Sequence, residues 1–581
     1  MSAVESLLRP LAPSPKPSKV EAIKSGSRRL RGTIAESVAS GARAFDEPDK
    51  QLLKFHGVYQ GYDRDTATSL KQAGKPKDVS FMVRVRIPAG RLTAEQYLAL
   101  DALAERHGAR SLRITTRQTI QFHGVASGEL KATMAGINEA LLTTLAACGD
   151  VVRNVTATPA PIADSVHRRL QEDARLLSAA LSPRTRAYHE IWVDGEPAVG
   201  GPLEQEPLYG ATYLPRKFKI GIATPEDNSI DVLTNDLAIV ALFENGELLG
   251  YNLALGGGLG MTHGKPETYP RLASPIAFVA PDDLLPAVQA VVRLQRDHGD
   301  RANRKHARLK YLVDERGAAW IKQTLESYFG GPLADPRPMP RFKIVDHLGW
   351  HAQGDGRWYL GVPISSGRIK DTSAARLRTA LREAIALYQV TPILTPQQDI
   401  LLADIREADR AAIEAALRGH GVRLASDFSP VARWSLACPA LPTCALALSE
   451  AERVKDDLVG AIEAALARHG LGNERISVRI TGCPNGCARP YAGDIGIVGR
   501  MPGFYALYVG GDFEGTRLSE RLLDKVAYGD IAATLEPLFA FFSRCRRAGE
   551  GFGDFCHRHP PELLRALIAD AAGGVRRACG D

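Results

Sequence analysis

The chain of 581 residues is 45% hydrophobic and 24% charged, which is typical of globular proteins but too long for a single hydrophobic core. It has no apolar run near the ~18 residues that cross a bilayer and no signal-peptide hydrophobic region at its start, so we predict a cytoplasmic protein without a membrane partner. The net charge of +7 would suit nucleic acid, but no zinc finger, RNP-like motif or basic helix repeat accompanies it, and we predict no nucleic-acid partner.

Residues 1–50 are predicted to form a flexible N-terminal arm. Four prolines lie there among lysines and serines, namely Pro10, Pro13, Pro15 and Pro17. This composition is typical of weakly ordered segments. We therefore expect the arm to extend from the body of the protein and to dock on a partner.

One structural plan occurs twice, within residues 51–150 and again within 341–425. The first copy contains the strand FMVRVRIP, a helix with a capping box from Thr93 to Gln96, and the strands SLRITT and IQFHGV. The second contains WYLGVPI, the helix SAARLRTALREAIALYQ and PILTPQQDILLADI. TTRQTIQFHG and LTPQQDILLAD occupy matching places. The repeat predicts two α+β halves about a pseudo-twofold axis, with a shared cleft suited to a large planar cofactor.

Residues 151–340, between the two copies, are predicted to form a mixed α/β lobe. The segment contains the strand-like FKIGIAT, the turn-rich NLALGGGLGMTHG and a helix from Pro281 to His298. GGGLG does not have the G-x-G-x-x-G spacing of a dinucleotide-binding fold, and the chain has no P-loop. We therefore expect any nicotinamide or flavin chemistry to reside on another chain.

The last predicted domain, residues 426–581, contains two pairs of cysteines in loops rich in Pro, Gly and Asn. Cys438 and Cys444 are spaced C-x5-C, and Cys483 and Cys487 are spaced C-x3-C. The other four cysteines are scattered: Cys148, Cys545, Cys556 and Cys579. Two thiol pairs from separate segments form a closed cage that suits a [4Fe–4S] cluster or a structural zinc ion. Clustered thiols without an export signal again indicate a reducing cytoplasm.

The spacing favours iron–sulfur over zinc. Zinc ribbons and fingers use pairs two to four residues apart, and C-x5-C is wider than that. The loop from Gly482 to Gly486 also offers several N–H groups, which tune the reduction potential of a cluster when they point at its sulfurs. Neither observation identifies the reaction that electrons carried by such a cluster would drive.

Several segments resemble one known family. CPALPTC and TGCPNGCARPY, together with LRITTRQTIQFHG and LPRKFK, resemble motifs of the sirohaem-dependent sulfite and nitrite reductases. LRGTIAE and GEGFGDF are similar to the haemoprotein (β) subunit of the NADPH-dependent branch, to which the match is closest, whereas CPALPTC and CARPY are similar to the ferredoxin-dependent branch. The resemblance implies a fold of two ferredoxin-like half-domains and two α/β cofactor-binding lobes.

The resemblance also implies roles for individual residues. The [4Fe–4S] ligands would be Cys438, Cys444, Cys483 and Cys487, and Cys487 would also be the axial ligand of the sirohaem iron. The sirohaem carboxylates would be held by Arg113, Arg117, Arg308 and Lys310, and the edge of the cofactor would be lined by Gln121 and His123. The substrate would be bound and protonated by a third set: Arg84, Arg153, Lys217 and Lys219.

The activity implied is the six-electron reduction of sulfite to sulfide in sulfate assimilation. The electrons would come from a separate donor protein, either a flavoprotein that oxidises NADPH or, as the alternative, a ferredoxin. Two other hypotheses stay open at this point. One is an assimilatory nitrite reductase on the same cofactors, and the other is a non-catalytic basic protein with a structural four-cysteine zinc site.

Overall fold

The computed structural model describes residues 16–185 and 206–572, together with the backbone of two short strands, β6 (Trp192–Val193) and β7 (Glu196–Pro197). The three largest hydrophobic cores of the described part are one shared by the two repeats, one mainly in the segment between them, and one in the C-terminal segment. No helix in these residues is long and apolar enough to cross a membrane.

The N-terminal segment is helical and packed, which corrects the expectation of a flexible arm for residues 16–50. Its helices are α1 (Lys19–Ser25), α2 (Ile34–Ala39) and α3 (Glu47–Leu53). Lys24 is buried because its ammonium group pairs with Glu21 at 2.5 Å and donates to the Leu214 carbonyl at 2.7 Å. Charge pairing within the protein thus replaces the solvation that the composition suggested. Residues 1–15 lie outside the described part.

The first repeat forms an antiparallel sheet and three helices. Its elements are β1 (Val58–Tyr62), α4 (Ala67–Gln72), β2 (Val79–Arg84), α5 (Ala94–His107), β3 (Leu112–Ile114), β4 (Ile120–Val125) and α6 (Leu130–Glu139). The strand order is β1-β2-β4-β3. The predicted capping box is confirmed, since the side chains of Thr93 and Gln96 each accept from the other residue's backbone N–H.

The intervening segment contains a five-stranded mixed sheet. Its elements besides β6 and β7 are β5 (Thr156–Ala157), α7 (Ser165–Ala180), β8 (Ile220–Ala223), β9 (Leu237–Glu244), β10 (Glu247–Leu255), β11 (Ser274–Val279), α8 (Leu284–His298) and α9 (Leu309–Phe329). The strand order is β11-β10-β9-β8-β5, in which β5, β8 and β9 are parallel. The predicted helix from Pro281 to His298 is α8 with a preceding turn.

The second repeat has the same plan as the first. Its elements are β12 (Gly349–Ala352), β13 (Arg357–Val362), β14 (Arg368–Ile369), α10 (Leu377–Tyr388), β15 (Thr391–Leu394), β16 (Ile400–Arg406) and α11 (Arg410–Gly419). The strand order is β12-β13-β16-β15, while β14 crosses over to pair with β3 of the first repeat. Side chains of both repeats fill one core.

Two glycines show the pseudo-twofold relation most directly. Gly90 has φ +76°, and a Cβ there would lie 2.4 Å from the Leu394 carbonyl oxygen. Gly367 has φ +70°, and its Cβ would lie 2.2 Å from the Ile114 carbonyl oxygen. Each repeat therefore places a glycine against the matching strand end of the other repeat, where no side chain fits. The predicted paired α+β fold is confirmed.

The C-terminal segment contains a mixed five-stranded sheet and ends with helices. Its elements are α12 (Pro430–Arg433), β17 (Ser435–Ala437), α13 (Lys455–Arg468), β18 (Val478–Thr481), β19 (Ile495–Met501), β20 (Phe504–Val509), β21 (Glu520–Ala527), α14 (Ile531–Cys545), α15 (Phe552–Arg558) and α16 (Pro561–Ala572). The strands follow chain order, and β17, β18 and β19 are parallel. Cys545, one of the four scattered cysteines, is disulfide-bonded.

Candidate functional site

The two cysteine pairs meet at one edge of the C-terminal sheet. Cys438 directly follows β17, and Cys483 follows β18 by two residues. These strands are parallel neighbours, so their carboxyl ends lie side by side. The Gly482 N–H donates to the Cys438 Sγ at 3.3 Å, and the Asn485 amide donates to the Cys483 Sγ at 3.5 Å. The N–H donors predicted from the loop composition therefore do point at sulfur.

The four thiols share one electrostatic environment. Burial raises the pKa of Cys438 and of Cys444, and the nearby Cys487 sulfur raises both further. The same two causes raise the pKa of Cys483 to about 12. Cys438 and Cys483 are buried, Cys444 is half-buried and Cys487 is exposed. Thiols with raised pKa values become thiolates only when a metal centre compensates their charge, so this cage is suited to an inorganic core.

The arrangement of the possible metal-ligand side chains is relevant to which metal centre the cysteines can hold. Within the described residues, no three His, Cys, Asp or Glu side chains are close enough together to hold one metal ion. A [4Fe–4S] cluster does not require such proximity, because each thiolate binds a different iron atom.

Loops of the first repeat hold the cysteine loops in place. The Arg64 guanidinium donates to the Ala445 carbonyl at 3.0 Å and reaches the Cys444 carbonyl at 3.4 Å. The Thr116 hydroxyl donates to the Cys487 carbonyl at 3.1 Å. The cysteine cage therefore lies against the β3–β4 turn, from which Arg117 also projects.

A group of cations faces Cys487. Burial and the neighbouring Arg117 and Arg308 guanidiniums lower the pKa of Lys219 to about 7, while the Cys487 sulfur opposes that shift. Burial and the neighbouring Lys219 lower the pKa of Lys217, with Arg216 and Arg153 contributing. Within residues 16–185 and 206–572, neither lysine ammonium makes a hydrogen bond or an ion pair. Both ammonium groups are therefore available to an anion.

The predicted arginines of this group are anchored mainly by neutral groups. Arg117 donates to the Asn235 side-chain oxygen at 2.9 Å and to the Ile220 carbonyl at 3.1 Å, and burial followed by Arg153 lowers its pKa to about 9. Arg153 donates to the Gly149 carbonyl at 3.3 Å. Arg84 donates to the Gln121 amide oxygen at 3.2 Å, with that amide oriented to receive it. Within the described residues, none of these three guanidiniums forms an ion pair with a carboxylate.

Arg308 differs from the others because a carboxylate compensates it. Its guanidinium forms two bonds of 2.7 and 2.8 Å with Asp236, and the pair is buried. We define the cation cleft by its six neighbouring cations, Arg84, Arg117, Arg153, Lys217, Lys219 and Arg308, with the Cys487 sulfur close to Lys219. The structure thus brings together all four residues predicted for the substrate and two of those predicted for the cofactor.

Three predicted cofactor residues make contacts elsewhere. The Lys310 ammonium is fully buried and donates to the Gly258 carbonyl at 3.1 Å and to the Gly260 carbonyl at 3.0 Å, inside the GGGLG turn. Arg113 donates to the Ala437 carbonyl at 2.9 Å, just before Cys438.

His123 is buried, and its Nδ1 lies 3.2 Å from the Arg368 guanidinium. Burial, followed by Arg368, lowers the pKa of this imidazole. Arg368 belongs to β14, so His123 contacts the second repeat. The cofactor roles of Lys310, Arg113 and His123 stay predictions.

Two further residues of the cleft were missed at the sequence level. Arg216 directly precedes Lys217, and burial together with Arg304 lowers its pKa to about 10. The run LPRKFK already contained it as a third cation. The Tyr59 hydroxyl lies 3.4 Å from Arg153, and no local pattern marks this tyrosine.

Comparison with known proteins agrees with this architecture. The family described as nitrite/sulfite reductase ferredoxin-like half domain matches residues 74–140 and 351–420, and the family described as nitrite and sulphite reductase 4Fe-4S domain matches residues 172–333. The half-domain matches fall on the two repeats. The 4Fe-4S domain match falls on the intervening segment, which contributes Lys217, Lys219 and Arg308 to the cleft but none of the four clustered cysteines.

Individual relatives cover nearly the whole chain. The ferredoxin sulfite reductase of Synechococcus elongatus is 44% identical, over 96% of this chain and 92% of that protein. The NADPH sulfite reductase hemoprotein beta-component of Myxococcus xanthus is 47% identical, over 94% of this chain and 97% of that protein. The solved structure of Mycobacterium tuberculosis NirA superposes with a TM-score of 0.77 at 25% identity, covering 95% and 98% of the two chains. The chain therefore belongs to the nitrite and sulphite reductase family.

Proposed function

We propose that this chain is the haemoprotein of an assimilatory sulfite reductase, which reduces sulfite to sulfide with six electrons. The observation that carries the proposal is the cation cleft beside an exposed cluster cysteine, Cys487. Family membership and the sulfite reductases among the relatives support the same chemistry.

The residues present fit a sirohaem and a [4Fe–4S] cluster. Sirohaem carries eight carboxylates, and buried carboxylates require cationic partners. Within the described residues, Arg117, Lys217 and Lys219 of the cleft form no ion pair with a carboxylate, and the buried Arg117 Nε atom has no hydrogen-bond partner there. Arg117 would hold a sirohaem carboxylate, because a guanidinium binds a carboxylate through two parallel bonds. Arg308 already bonds Asp236 through Nε and Nη2, so it would reach a second sirohaem carboxylate through its remaining Nη1 group.

The remaining cleft residues suit a small oxyanion. When bound, the two cofactors would supply the electrons and an iron atom that takes the sulfur of sulfite. Arg84 and Arg153 would bind sulfite oxygens, and the ammonium groups of Lys217 and Lys219 would neutralise the anion and donate protons as oxygen leaves as water. A lysine with a pKa near 7 exchanges its proton readily at neutral pH, which suits Lys219 to repeated proton delivery.

The electron donor is proposed to be a separate protein, and an NADPH-oxidising flavoprotein is the first choice. The absence of nucleotide-binding motifs from the sequence supports a separate donor. A relative named as a ferredoxin sulfite reductase and one named as an NADPH sulfite reductase both align over most of the chain, so a ferredoxin is the alternative donor. We place the protein in the cytoplasm, because an oxidising compartment would pair the four clustered thiols.

The decisive experiment is the visible spectrum of the chain expressed with sirohaem supply, recorded before and after sulfite is added to the reduced protein. We expect isobacteriochlorin bands that shift with sulfite. Cys487→Ser should lose the bands of both cofactors together, whereas Cys556→Ser, which removes a buried thiol outside the cage, should keep them. A colourless protein that retains zinc would contradict the proposal.

Nitrite reduction is the second candidate, because the matched family includes reductases of both anions. Steady-state kinetics with each anion separates the two. A higher kcat/KM for sulfite than for nitrite supports the proposal, and the reverse order would favour a nitrite reductase.

A further inference from the structure

We propose that Asp231 is a positioning residue that holds the loop carrying Cys487 against the cation cleft. The inference rests on the proposed function for the cofactors that this loop would bind. It extends that function to a residue that touches neither the predicted cluster cage nor the predicted substrate site.

Asp231 lies at the centre of a buried ion triad, which we define as Asp231, Arg479 and Arg489. Its Oδ2 atom is 2.5 Å from the Arg479 Nη1 and 2.9 Å from the Arg489 Nε. Asp231 is fully buried, and the two arginines are 2% and 6% exposed. One carboxylate therefore compensates two buried guanidiniums, which makes the triad sensitive to loss of that single negative charge.

The triad connects three separate parts of the chain at the cysteine loop. Arg489 follows Cys487 by two residues and has left-handed backbone angles of φ 58° and ψ 45°, which a residue other than glycine adopts only when its surroundings hold it there. Its guanidinium donates to the Ile230 carbonyl at 3.0 Å and to the Pro396 carbonyl at 3.0 Å. The side chain of Arg489 thereby ties the Cys487 loop to the intervening segment and to the second repeat.

The segment that begins at Asp231 reaches the cleft at its other end. A short 3-10 turn, Val232–Thr234, leads to Asn235, which accepts from Arg117, and then to Asp236. Asp236 pairs with Arg308 and also accepts from the Lys219 backbone N–H at 2.8 Å. Six consecutive residues therefore link the loop of Cys487 to three cations of the cleft. This continuity is the reason that Asp231 sets the position of Cys487 relative to the cleft.

The test compares the purified holoprotein with Asp231→Asn. The substitution keeps the shape of the side chain but removes its charge. We expect altered visible bands, a shifted reduction potential of the cluster, and a decrease of at least about tenfold in kcat for sulfite. KM should change much less, because the cleft cations themselves remain. The spectrum and the potential are readouts that loss of stability alone does not move.

The matched control is Asp101→Asn. Asp101 is also buried between two arginines, with Arg378 at 2.6 Å and Arg382 at 3.5 Å, but these link helices α5 and α10 of the two repeats. The Asp101→Asn substitution should lower the melting temperature without changing the cofactor spectrum. The same spectral change in this control would overturn the proposal, since the effect would then be general.

A second variant covers the case in which Asp231→Asn does not fold. Arg489→Lys keeps the charge next to Asp231 but loses the branched donor that reaches the Ile230 and Pro396 carbonyls. We expect it to fold and to show the same spectral and kinetic changes in smaller degree. A folded Arg489→Lys or Asp231→Asn protein with wild-type spectrum, potential and kcat would overturn the proposal. A wild-type protein without sirohaem bands would instead refute the proposed function.

Discussion

Lys217 and Lys219 are the residues at which the proposed chemistry is most directly testable. Their ammonium groups have no partner within the described residues; Lys219 lies near the Cys487 sulfur, and Lys217 lies near Lys219. We expect Lys217→Met and Lys219→Met to slow six-electron turnover by about a hundredfold, because general acids contribute on that scale. One-electron reduction of the haem should change little, since it consumes no substrate proton.

The control for these variants is Lys343→Met, which removes an exposed lysine paired with Glu226. Steady-state turnover and stopped-flow reduction of all three variants supply the comparison. Wild-type turnover in both cleft variants would refute the roles assigned to these lysines.

Lys219 also makes the stability of the cofactor-free chain depend on pH. Its pKa is lowered from 10.5 to about 7, mainly by burial. Between those values the unfolded chain binds the proton and the folded chain does not, so the free energy of unfolding rises with pH across this window. Lys219→Met should therefore stabilise the cofactor-free chain most below pH 7, and the advantage should shrink as pH rises. Melting temperatures measured from pH 6 to 9 test this, and a constant difference would contradict it.

At the scale of secondary-structure elements, the contact between the two repeats depends on Gly90 and Gly367. Gly90→Ala and Gly367→Ala should each lower the free energy of unfolding by at least about 3 kcal/mol, because the new Cβ meets a backbone carbonyl of the other repeat. Gly74→Ala is the matched control: φ is +67° there, but no atom lies within 4 Å of the new Cβ. It should cost about 1 kcal/mol, the strain of a left-handed backbone alone. Urea unfolding gives the comparison, and equal costs at all three positions would contradict the close packing.

At the scale of the whole molecule, the net charge of +7 favours an acidic electron donor. Turnover with such a donor should fall as ionic strength rises from about 0.05 to 0.3 M, because salt screens the attraction between the two proteins. Turnover with a small uncharged reductant serves as the control and should stay nearly constant. A protein-fed rate that is independent of salt would count against electrostatic recruitment.

Features formed by residues close in sequence were predictable. The capping box of α5 was one, because Thr93 and Gln96 are three residues apart and the hydrogen bonds are local. The cysteine pairs were another, since each pair lies in a single loop. The N-terminal segment was predicted wrongly because Lys24 is neutralised by Glu21 nearby and accommodated by Leu214, 190 residues away. Composition does not reveal a partner at that distance.

The sequence by itself determined the repeated α+β plan, the two thiol pairs and the cationic runs that supply the cleft, because each depends on local spacing and residue chemistry. Only the tertiary structure decided which cations keep their charge uncompensated. In the sequence, Arg308 and Lys219 are both simply cationic residues. In the structure, Asp236 pairs with Arg308, whereas no side chain in the described part of the chain pairs with Lys219. The role proposed for Asp231 likewise exists only in three dimensions, where a carboxylate meets guanidiniums that follow it by about 250 residues. Charge compensation depends on distance in space, which long-range chain contacts set.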